Sequence, residues 1–267
     1  MSRNTELTAF AHHLADLAAA AILPHFRRPI AVRNKAGPSS FDPVTAADTA
    51  AEKAMRAAIA DRFPDHAIVG EEFAATAARA GDRHAWVLDP IDGTKAFIMG
   101  YPMWGTLVGL LDGDAPLLGL MHQPFTGERF WSAAGQRSTN WRGGDRSERR
   151  LKTRDCARLA DAVLTATTPD MFKTGHERDR FAAVSRSVRM TRFGGDCYAY
   201  CMLAAGHIDL VVEASLKTVD IIPLIPIIER AGGRVTTWDG GSPLGGGRII
   251  AAGSARVHEQ AMAILGG

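Results

Sequence analysis

Two aspartates lie close together in the segment WVLDPIDGTKAF, which spans residues 86–97. Asp89 and Asp92 follow the strand-like run WVL, and only Pro90 and Ile91 separate them. Two carboxylates this close repel each other unless a positive charge lies between them. The segment therefore predicts a bound cation.

Further acidic residues occur where predicted helices and strands begin or end. Such positions are the ones from which loops aim side chains into a shared site. Several carboxylates that converge need cations, and hard oxygen ligands of this kind suit Mg²⁺. Pro90 stiffens the turn, so the carbonyl of Ile91 can point toward the same ions. The acidic residues concerned are Asp48, Glu71, Glu72, Asp89, Asp92 and Asp220.

Gly93 and Thr94 directly follow the two aspartates and open a predicted helix. The unpaired backbone N–H groups at a helix start bind anions such as phosphate. Taken alone, DPIDGT also fits a tight turn whose aspartates cap a helix. The upstream GEE segment (70–72) and the helix-opening Asp220 favour a metal and phosphate site over that simpler interpretation.

The first half of the chain is predicted to form helices followed by an antiparallel sheet. Apolar spacing of three and four predicts one helix over 5–26 and another from about Thr45, joined by the loop KAGPSSFDP (35–43). Consecutive strands are predicted at 103–111, 117–121 and 129–132. The basic segment 135–154 is predicted to be a solvated loop between the halves, and its arginines could alternatively bind an acidic partner.

The second half alternates short strands with helices, which favours a layered α/β arrangement. Strands are predicted at 162–167, 188–192, 208–213, 234–238 and 248–252. Helices are predicted near 177–187, 196–205, 220–231 and 255–264. Pro226 should bend or locally unpair the third of these helices, and Gly232 and Gly233 should close it.

The composition is that of an ordinary globular enzyme. A formal net charge of +2 over 267 residues predicts no strong attraction to nucleic acid or membrane. The N-terminus lacks an export pattern, and no apolar run reaches the roughly 18 residues that a membrane span needs. Three cysteines without a paired framework suit a reducing cytoplasm, and Cys197 and Cys201 are predicted to pack in the core.

Four segments together resemble the inositol monophosphatase-like phosphatases, which are Mg²⁺-dependent and often lithium-sensitive. They are VTAAD (44–48), GEE (70–72), WVLDPIDGT (86–94) and VDIIPLIPIIERAGG (219–233). The resemblance implies a mixed α/β fold, a layered αβαβα sandwich that is usually a homodimer. It also implies one catalytic unit, in which residues 1–150 carry the metal and phosphate motifs and residues 151–267 carry substrate selectivity and the last metal ligand.

The resemblance assigns roles to individual residues. Glu71, Asp89 and the Ile91 carbonyl would bind one Mg²⁺, and Asp89, Asp92 and Asp220 would bind a second. A third, more loosely bound ion would lie near Glu71. Mn²⁺ could replace Mg²⁺. Glu72 is expected beside the site rather than as a ligand.

The resemblance also implies how phosphate and water are handled. Asp92, Gly93 and Thr94 would hold the phosphate. Thr94, hydrogen-bonded to Asp48, would orient and help deprotonate the attacking water, with Glu71 as a further catalytic residue.

The substrate is the less certain part of the resemblance, and three alternatives stay open. The stretches RFGGDCYAY (192–200) and VVEASLKTVD (211–220) look most like the histidinol-phosphate phosphatases of the family. Inositol phosphate is an alternative, because acidic side chains also bind sugar hydroxyls. Some relatives of this fold instead act as RNA-polymerase-associated antitermination factors, and only the basic 137–154 segment favours that role.

Five residues are expected to bind the substrate. A cationic substrate needs carboxylates away from the metals, which Asp196 and a strand-ending Glu213 could supply. Asp196 could instead merely cap the helix 196–205. Arg192 could pair with either acid or reach a neighbouring subunit. The full expected set is Arg192, Gly195, Asp196, Glu213 and Asp220.

Overall fold

Helices and sheets alternate in five layers in the computed structural model of the protein, which describes residues 2–35, 42–79 and 81–266. Residues 36–41 of the predicted loop therefore lie outside the described residues. The helices are α1 Arg3–Ile22, α2 Ala46–Arg62, α3 Thr94–Ile98, α4 Gly175–Ser187, α5 Asp196–Ala204, α6 Thr218–Ile221, α7 Ile225–Glu229 and α8 Ala255–Leu265. The strands are β1 Val32–Asn34, β2 Pro43–Thr45, β3 Ala67–Gly70, β4 His84–Asp92, β5 Gly105–Asp112, β6 Ala115–Gln123, β7 Glu128–Ser132, β8 Thr139–Arg142, β9 Glu148–Leu151, β10 Val163–Ala166, β11 Met190–Phe193, β12 Leu210–Leu216, β13 Arg234–Thr237 and β14 Gly247–Ala252.

The first half forms a seven-stranded sheet in the order β3-β4-β5-β6-β7-β8-β9. Its neighbouring strands run antiparallel except for β3 and β4, which are parallel. Helices α1 and α2 cover one face, where Leu14, Met55 and Ile59 pack in the same buried cluster as Trp86. This is the predicted order of helices followed by an antiparallel sheet.

The second half forms a five-stranded mixed sheet in the order β11-β10-β12-β14-β13. Helices α5 and α7 lie between the two sheets, and Cys201 and Ile227 share a buried cluster with Leu107 of the first sheet and Val211 of the second. Helices α4 and α8 cover the outer face of the second sheet. The layers are therefore helix, sheet, helix, sheet, helix, which confirms the αβαβα expectation. Cys197 and Cys201 are buried there with free thiols, as predicted.

The basic segment between the halves is a hairpin, so the prediction of a solvated loop is wrong. Strands β8 and β9 pair antiparallel and extend the first sheet. The Thr139 hydroxyl donates to the Ile227 carbonyl at 2.6 Å, and the Arg149 guanidinium lies 5.0 Å from the Trp141 ring centroid. In these two strands Thr139 and Leu151 are buried, while the other residues are exposed or partly exposed. The segment therefore lacks the apolar alternation by which strands are recognised in a sequence.

The predicted helix over 220–231 is two short helices, α6 and α7, which are separated by three turn residues although Ile222 and Leu224 keep helical backbone angles. Pro226 lies in the first turn of α7, where a missing N–H costs no hydrogen bond. The break therefore falls before Pro226 rather than at it. Gly232 and Gly233 close α7 through N–H groups that donate to the carbonyls of Glu229 and Ile228.

By length and composition, the N-terminal helix with its extension, Arg3–His25, is apolar enough to cross a membrane, with a mean hydropathy of 1.3. Leu7, Ala11, Leu14 and Ala18 on this helix are buried in the cluster beneath the first sheet. A core helix of a globular domain has the same composition, and the packing of α1 is of that kind.

A buried carboxylate ties the start of β12 to its neighbours, and its removal should destabilise the fold. Asp209 is fully buried, accepts from the Val163 N–H at 2.7 Å, and binds Arg154 through both oxygens. We expect Asp209→Ala to lower the free energy of unfolding by about 3 kcal/mol, near the low end for a broken buried ion pair, because the half-exposed Arg154 returns to water. Urea unfolding measures this change.

The matched control is Asp161→Ala, which removes an exposed carboxylate that also binds an arginine, Arg158. Exposed pairs contribute little, so this variant should unfold like the wild type. Equal urea midpoints for all three proteins would contradict the structural role of Asp209.

Candidate active site

A cleft of about 350 Å³ opens between the two halves, and its walls are rich in acidic side chains. Strand β4 and the start of α3 contribute one wall, while α5, β12 and α6 contribute the other. The charged and hydroxyl-bearing residues that line it are Asp42, Glu71, Asp89, Asp92, Thr94, Lys95, Thr167, Asp196, Tyr200, Glu213, Lys217 and Asp220.

Three aspartates meet at the floor of this cleft. Carboxylate oxygens of Asp89, Asp92 and Asp220 all lie within 4.8 Å of one another. A register shift in the β4–β5 pairing falls between Asp89 and Asp92, where the strand bulges and re-aims its side chains. Asp220 opens α6 and accepts the Lys217 N–H at 2.7 Å. The structure thus brings together three of the predicted metal ligands from distant parts of the chain.

The mutual proximity of these acids disfavours their charged forms. Burial raises the pKa of Asp89 well above its ordinary value, and the charges of Glu71, Asp92 and Asp220 raise it further. Burial, followed by the charges of Asp196 and Asp220, likewise raises the pKa of Asp92 well above its ordinary value. Burial is also the main reason that the pKa of Asp220 rises to about 7. A cation bound among them would restore the ionised forms.

Glu71, the fourth predicted carboxylate ligand, is neutralised by two lysines. Its Oε1 accepts from Lys35 Nζ at 3.0 Å and from Lys217 Nζ at 2.9 Å. Burial alone would raise the pKa of Glu71, but Lys217 and Lys35 outweigh it and hold the pKa below its ordinary value. Glu72 also binds Lys35, at 2.9 Å, and is not among the described residues that line the cleft, as expected of a residue beside the site.

The expected hydrogen bond between Thr94 and Asp48 is absent from the described part of the chain. Thr94 Oγ1 donates instead to the Ile91 carbonyl at 3.0 Å. Asp48 Oδ2 is used locally, because it accepts from the N–H and hydroxyl of Thr45 and forms the capping box of α2. Asp48 Oδ1 is buried and has no partner among the described residues. Helix capping therefore competes with the role that the resemblance implies for Asp48.

The residues present fit a hard divalent cation such as Mg²⁺. All the donors are oxygens, from Glu71, Asp89, Asp92, Asp220 and the Ile91 carbonyl, which lines the cleft. The raised pKa values of Asp89 and Asp92 indicate that the protein itself does not offset the negative charge of these carboxylates. Oxygen-only sets of this kind are selective for Mg²⁺, Mn²⁺ or Ca²⁺ over softer metals.

Asp196 lies in the cleft and is not the side-chain cap of α5. Gly195 is the N-cap residue of this helix and no side chain caps it locally, whereas Asp92 Oδ2 accepts the Cys197 N–H at 2.6 Å. The capping alternative for Asp196 is therefore wrong, and the cap comes from the other half of the chain. Burial, the Glu213 charge and other neighbours raise the pKa of Asp196 to about 7.

Glu213 is buried in the middle of β12, so its predicted place at a strand end is wrong. Strand β12 continues beyond Glu213 to Leu216, and its pairing register with β14 shifts between these two residues. Glu213 accepts from the Thr167 N–H and from the Tyr200 hydroxyl, both at 2.7 Å. It lines the cleft beside Asp196.

Two expected substrate residues do not line the cleft among the residues described. Arg192 is exposed on β11, and Gly195 is buried beneath the start of α5 with a φ of 120°. A Cβ at Gly195 would lie 3.1 Å from that of Ala199, so this glycine permits the close approach of the loop to the helix.

Several residues in or beside the cleft were not predicted. Lys35 and Lys217 carry no motif of their own, and only the surplus of nearby acids could have indicated that lysines would neutralise them. Tyr200 and Thr167 reach Glu213 through the packing of α5 and β10 onto β12, which sequence spacing does not reveal.

A second cluster, His66, Asp82 and His84, has ligand atoms within 4.8 Å of one another but is not arranged for a metal. The Trp86 indole N–H donates to His66 Nδ1 at 3.0 Å. This bond leaves the proton of the neutral ring on Nε2, the atom that faces Asp82 at 3.8 Å. Nε2 then has no free lone pair, and the cluster is a hydrogen-bonded support for the start of β4.

Comparison with known proteins agrees with this site. The sequence matches the inositol monophosphatase family over residues 3–266. It is 39% identical to the chloroplastic bifunctional phosphatase IMPL2 of Arabidopsis thaliana, covering 98% of this chain and 76% of that protein. It is 34% identical to the histidinol-phosphatase of Streptomyces coelicolor, covering 96% and 95% of the two chains. The structure of an inositol monophosphatase from Zymomonas mobilis is similar over 100% of both chains, with a TM-score of 0.85 and 37% identity.

The chain therefore belongs to the inositol monophosphatase family, as the sequence motifs predicted, and is a phosphatase of that family. The carboxylate cluster occupies the place in this fold where the two halves meet, and the match covers both halves.

The raised pKa of Asp196 predicts a pH-dependent gain in stability for Asp196→Asn in metal-free protein. Because this pKa is about 7 in the folded state, the fold keeps a proton that the unfolded chain releases above about pH 4, so stability is lost as the pH rises across that interval. Asn carries no charge, and it tolerates the φ of 43° that Asp196 adopts.

The variant should therefore melt at a higher temperature than the wild type, with a larger difference at about pH 8 than at about pH 5. Thermal unfolding in a chelating buffer at the two pH values measures this. A variant that melts at or below the wild-type temperature at the higher pH would contradict the raised pKa.

Proposed function

We propose that the protein is a Mg²⁺-dependent phosphomonoesterase that hydrolyses histidinol phosphate to histidinol and phosphate, a step of histidine biosynthesis. The observation that carries the proposal is the pair of carboxylates, Asp196 and Glu213, in the cleft beside the metal-binding aspartates. The histidinol-phosphatase of Streptomyces coelicolor, which is 34% identical over nearly the whole chain, supports the same substrate.

The metal-binding end of the cleft would hold two or three ions. Glu71, Asp89 and the Ile91 carbonyl would bind one, and Asp89, Asp92 and Asp220 would bind another, so that Asp89 is shared. Mg²⁺ bound there supplies Lewis-acid stabilisation of phosphoryl oxygens and acidifies a water molecule. Lys35 and Lys217, which bind Glu71 Oε1 in the structure, would move away from this carboxylate when the ion binds.

Gly93 and Thr94 would orient the phosphate. Gly93 adopts a left-handed φ of 85°, and a Cβ there would lie 2.8 Å from the Met103 carbonyl, so only glycine fits this turn. The turn leaves the first N–H groups of α3 directed along the helix axis, where anions bind. Thr94 would exchange its bond to the Ile91 carbonyl for one to the water or to Asp48 Oδ1, which has no partner among the described residues.

The part of the cleft around Asp196 and Glu213, beside the metal-binding aspartates, suits a cationic leaving group. Histidinol phosphate carries an ammonium and an imidazole that is partly protonated near neutral pH. Asp196 would pair with one of these cations, and its high pKa would fall on contact with positive charge. Glu213 is fixed by Thr167 and Tyr200 and would act as a rigid second acceptor.

Inositol 1-phosphate is the second candidate substrate. The similarity over 100% of both chains to the inositol monophosphatase from Zymomonas mobilis favours it. The fixed Glu213 carboxylate can accept hydrogen bonds from ring hydroxyls, but neutral hydroxyls give no reason for a second carboxylate at Asp196.

Other expectations remain predictions from the resemblance. These are the homodimer, the cytoplasmic location, lithium sensitivity and the absence of nucleic-acid and membrane partners. The exposed Met190 and Phe193 flank Arg192 on β11 and would suit a subunit contact. The cleft takes its walls from both halves, which supports one catalytic unit over residues 1–267.

The proposed metal role is tested with Asp89→Asn. Removing the shared ligand should abolish phosphate release from histidinol phosphate at any Mg²⁺ concentration, while circular dichroism stays that of the wild type. Asp145→Asn, which changes an exposed aspartate on the β8–β9 turn, is the control and should keep full activity. Near-normal turnover by Asp89→Asn at saturating Mg²⁺ would rule out a shared ion.

The proposed substrate is tested with Asp196→Asn on two substrates. If Asp196 pairs with the substrate cation, kcat/KM for histidinol phosphate should fall by the equivalent of about 2–5 kcal/mol, the scale of a broken buried charge pair. The loss for inositol 1-phosphate should be far smaller. Equal losses on both substrates would make Asp196 structural, and a wild type that prefers inositol 1-phosphate would overturn the proposed substrate.

A further inference from the structure

We propose that Glu52 and Arg56 on α2 are positioning residues for the metal ligand Glu71, and that this pair sets the affinity for Mg²⁺. The inference rests on the proposed function, because it takes Glu71 to be a metal ligand. Neither residue lines the cleft among the residues described, so each would act through the segment that carries Glu71.

Glu71 lies just beyond the end of a strand and needs support from outside the sheet. Strand β3 ends at Gly70, so the following residues have left the β3–β4 ladder. Glu52 replaces the lost strand partner. Its Oε2 accepts the Glu72 N–H at 2.7 Å, and its Oε1 accepts the Phe73 N–H at 3.3 Å.

Arg56 lies one turn further along α2 and adds to these contacts, and we call Glu52 and Arg56 together the clamp. Its Nε donates to Glu52 Oε1 at 2.7 Å, and its Nη2 donates to the Phe73 carbonyl at 3.0 Å. Its Nη1 donates to Thr76 Oγ1 at 3.3 Å. One guanidinium thus connects the buried Glu52 carboxylate to two points that follow Glu71 in the chain, the Phe73 carbonyl and the Thr76 hydroxyl.

Gly70, the residue before Glu71, also lies directly against Glu52 and Arg56. A Cβ at this position would lie 2.0 Å from Glu52 Oε1 and 2.8 Å from Arg56 Nη2. The backbone of the GEE segment therefore lies directly against the clamp before and after the ligand. A glycine here allows that approach, which no larger residue could make without displacing Glu52.

Glu52 is held in place by three hydrogen bonds, which suits positioning and not ligation. Its side chain is fully buried, and among the described residues its partners are Arg56 and the backbone N–H groups of Glu72 and Phe73. Burying the Glu52 carboxylate without these partners would cost free energy, so we expect its hydrogen bonds to persist. Glu52 is not among the described residues that line the cleft, where Glu71 and the aspartates lie.

The same face of α2 also carries Asp48. Asp48, Glu52 and Arg56 recur at intervals of four residues and so lie in one row along the helix. The row begins beside the active site, where Asp48 forms the capping box, and continues to the Glu71 segment. One rigid helix thereby fixes the separation between two parts of the site.

The test measures Mg²⁺ binding by isothermal titration calorimetry on the full chain. Residues that orient a metal ligand typically change metal affinity by about 10–100-fold when mutated. Glu52→Gln keeps the shape but loses the charge and one acceptor, and we expect its Mg²⁺ dissociation constant to rise at least about tenfold. Hydrogen exchange should also become faster at the Glu72 and Phe73 amides.

Glu177→Gln is the matched control. Glu177 also accepts two backbone N–H groups, those of Lys173 and Thr174, at the start of the distant helix α4. This variant should lose protection only near α4 and bind Mg²⁺ like the wild type. If Glu52→Gln fails to fold, Arg56→Lys replaces it, since lysine keeps the charge but cannot make the three-pronged contact, and its affinity for Mg²⁺ should also fall.

The outcomes separate this inference from the proposed function. Wild-type Mg²⁺ affinity in a folded Glu52→Gln or in Arg56→Lys would overturn the positioning role while leaving the phosphatase proposal intact. An equal loss of affinity in Glu177→Gln would also overturn it, because the effect would then be general. A wild-type protein that hydrolyses histidinol phosphate but binds no Mg²⁺ would overturn both the metal assignment and this role.

Discussion

Mutual repulsion among buried carboxylates is the constraint on which the rest of this structure depends. Asp89, Asp92 and Asp220 converge to within 4.8 Å in a cleft where burial raises their pKa values. Buried carboxylates this close together need groups that offset their negative charge, and the structure places such groups around them. Lys35 and Lys217 neutralise Glu71, and two helix starts bind Asp92 and Asp220 through backbone N–H groups.

The layered fold makes this arrangement possible because it brings the ends of strands and the starts of helices from both halves to the same cleft. The bulge in β4 aims Asp89 and Asp92 toward the middle helical layer, where α5 and α6 begin. Asp92 caps α5, so a ligand of the first half also organises the helix that starts at Asp196 in the second half. A proposed metal ligand and the helix that carries a proposed substrate-binding residue are therefore connected through one hydrogen bond.

Much of the candidate site was predictable from local sequence, because the acidic motifs occur at the ends of helices and strands. The layered fold and the family followed from the same motifs. The β8–β9 hairpin was not predictable, since its strands lack apolar alternation. The lysine partners of Glu71 and the Asp92 cap of α5 were not predictable either, because they depend on contacts between distant parts of the chain. Lys35 and Lys217 lie 36 and 146 positions from Glu71, and Asp92 lies 105 positions from Cys197. Asp48 was assigned to Thr94 by resemblance, whereas its own helix start binds one of its oxygens.

The most direct test of this account is to locate the ions that relieve the repulsion. Crystals grown with Mn²⁺ in place of Mg²⁺ allow each ion to be placed from its anomalous scattering. The account predicts two ions that share Asp89, one also bound by Glu71 with both lysines displaced, and the other bound by Asp92 and Asp220. An anomalous map without an ion at Asp89, or with Lys35 and Lys217 still bound to Glu71 beside an occupied site, would contradict it.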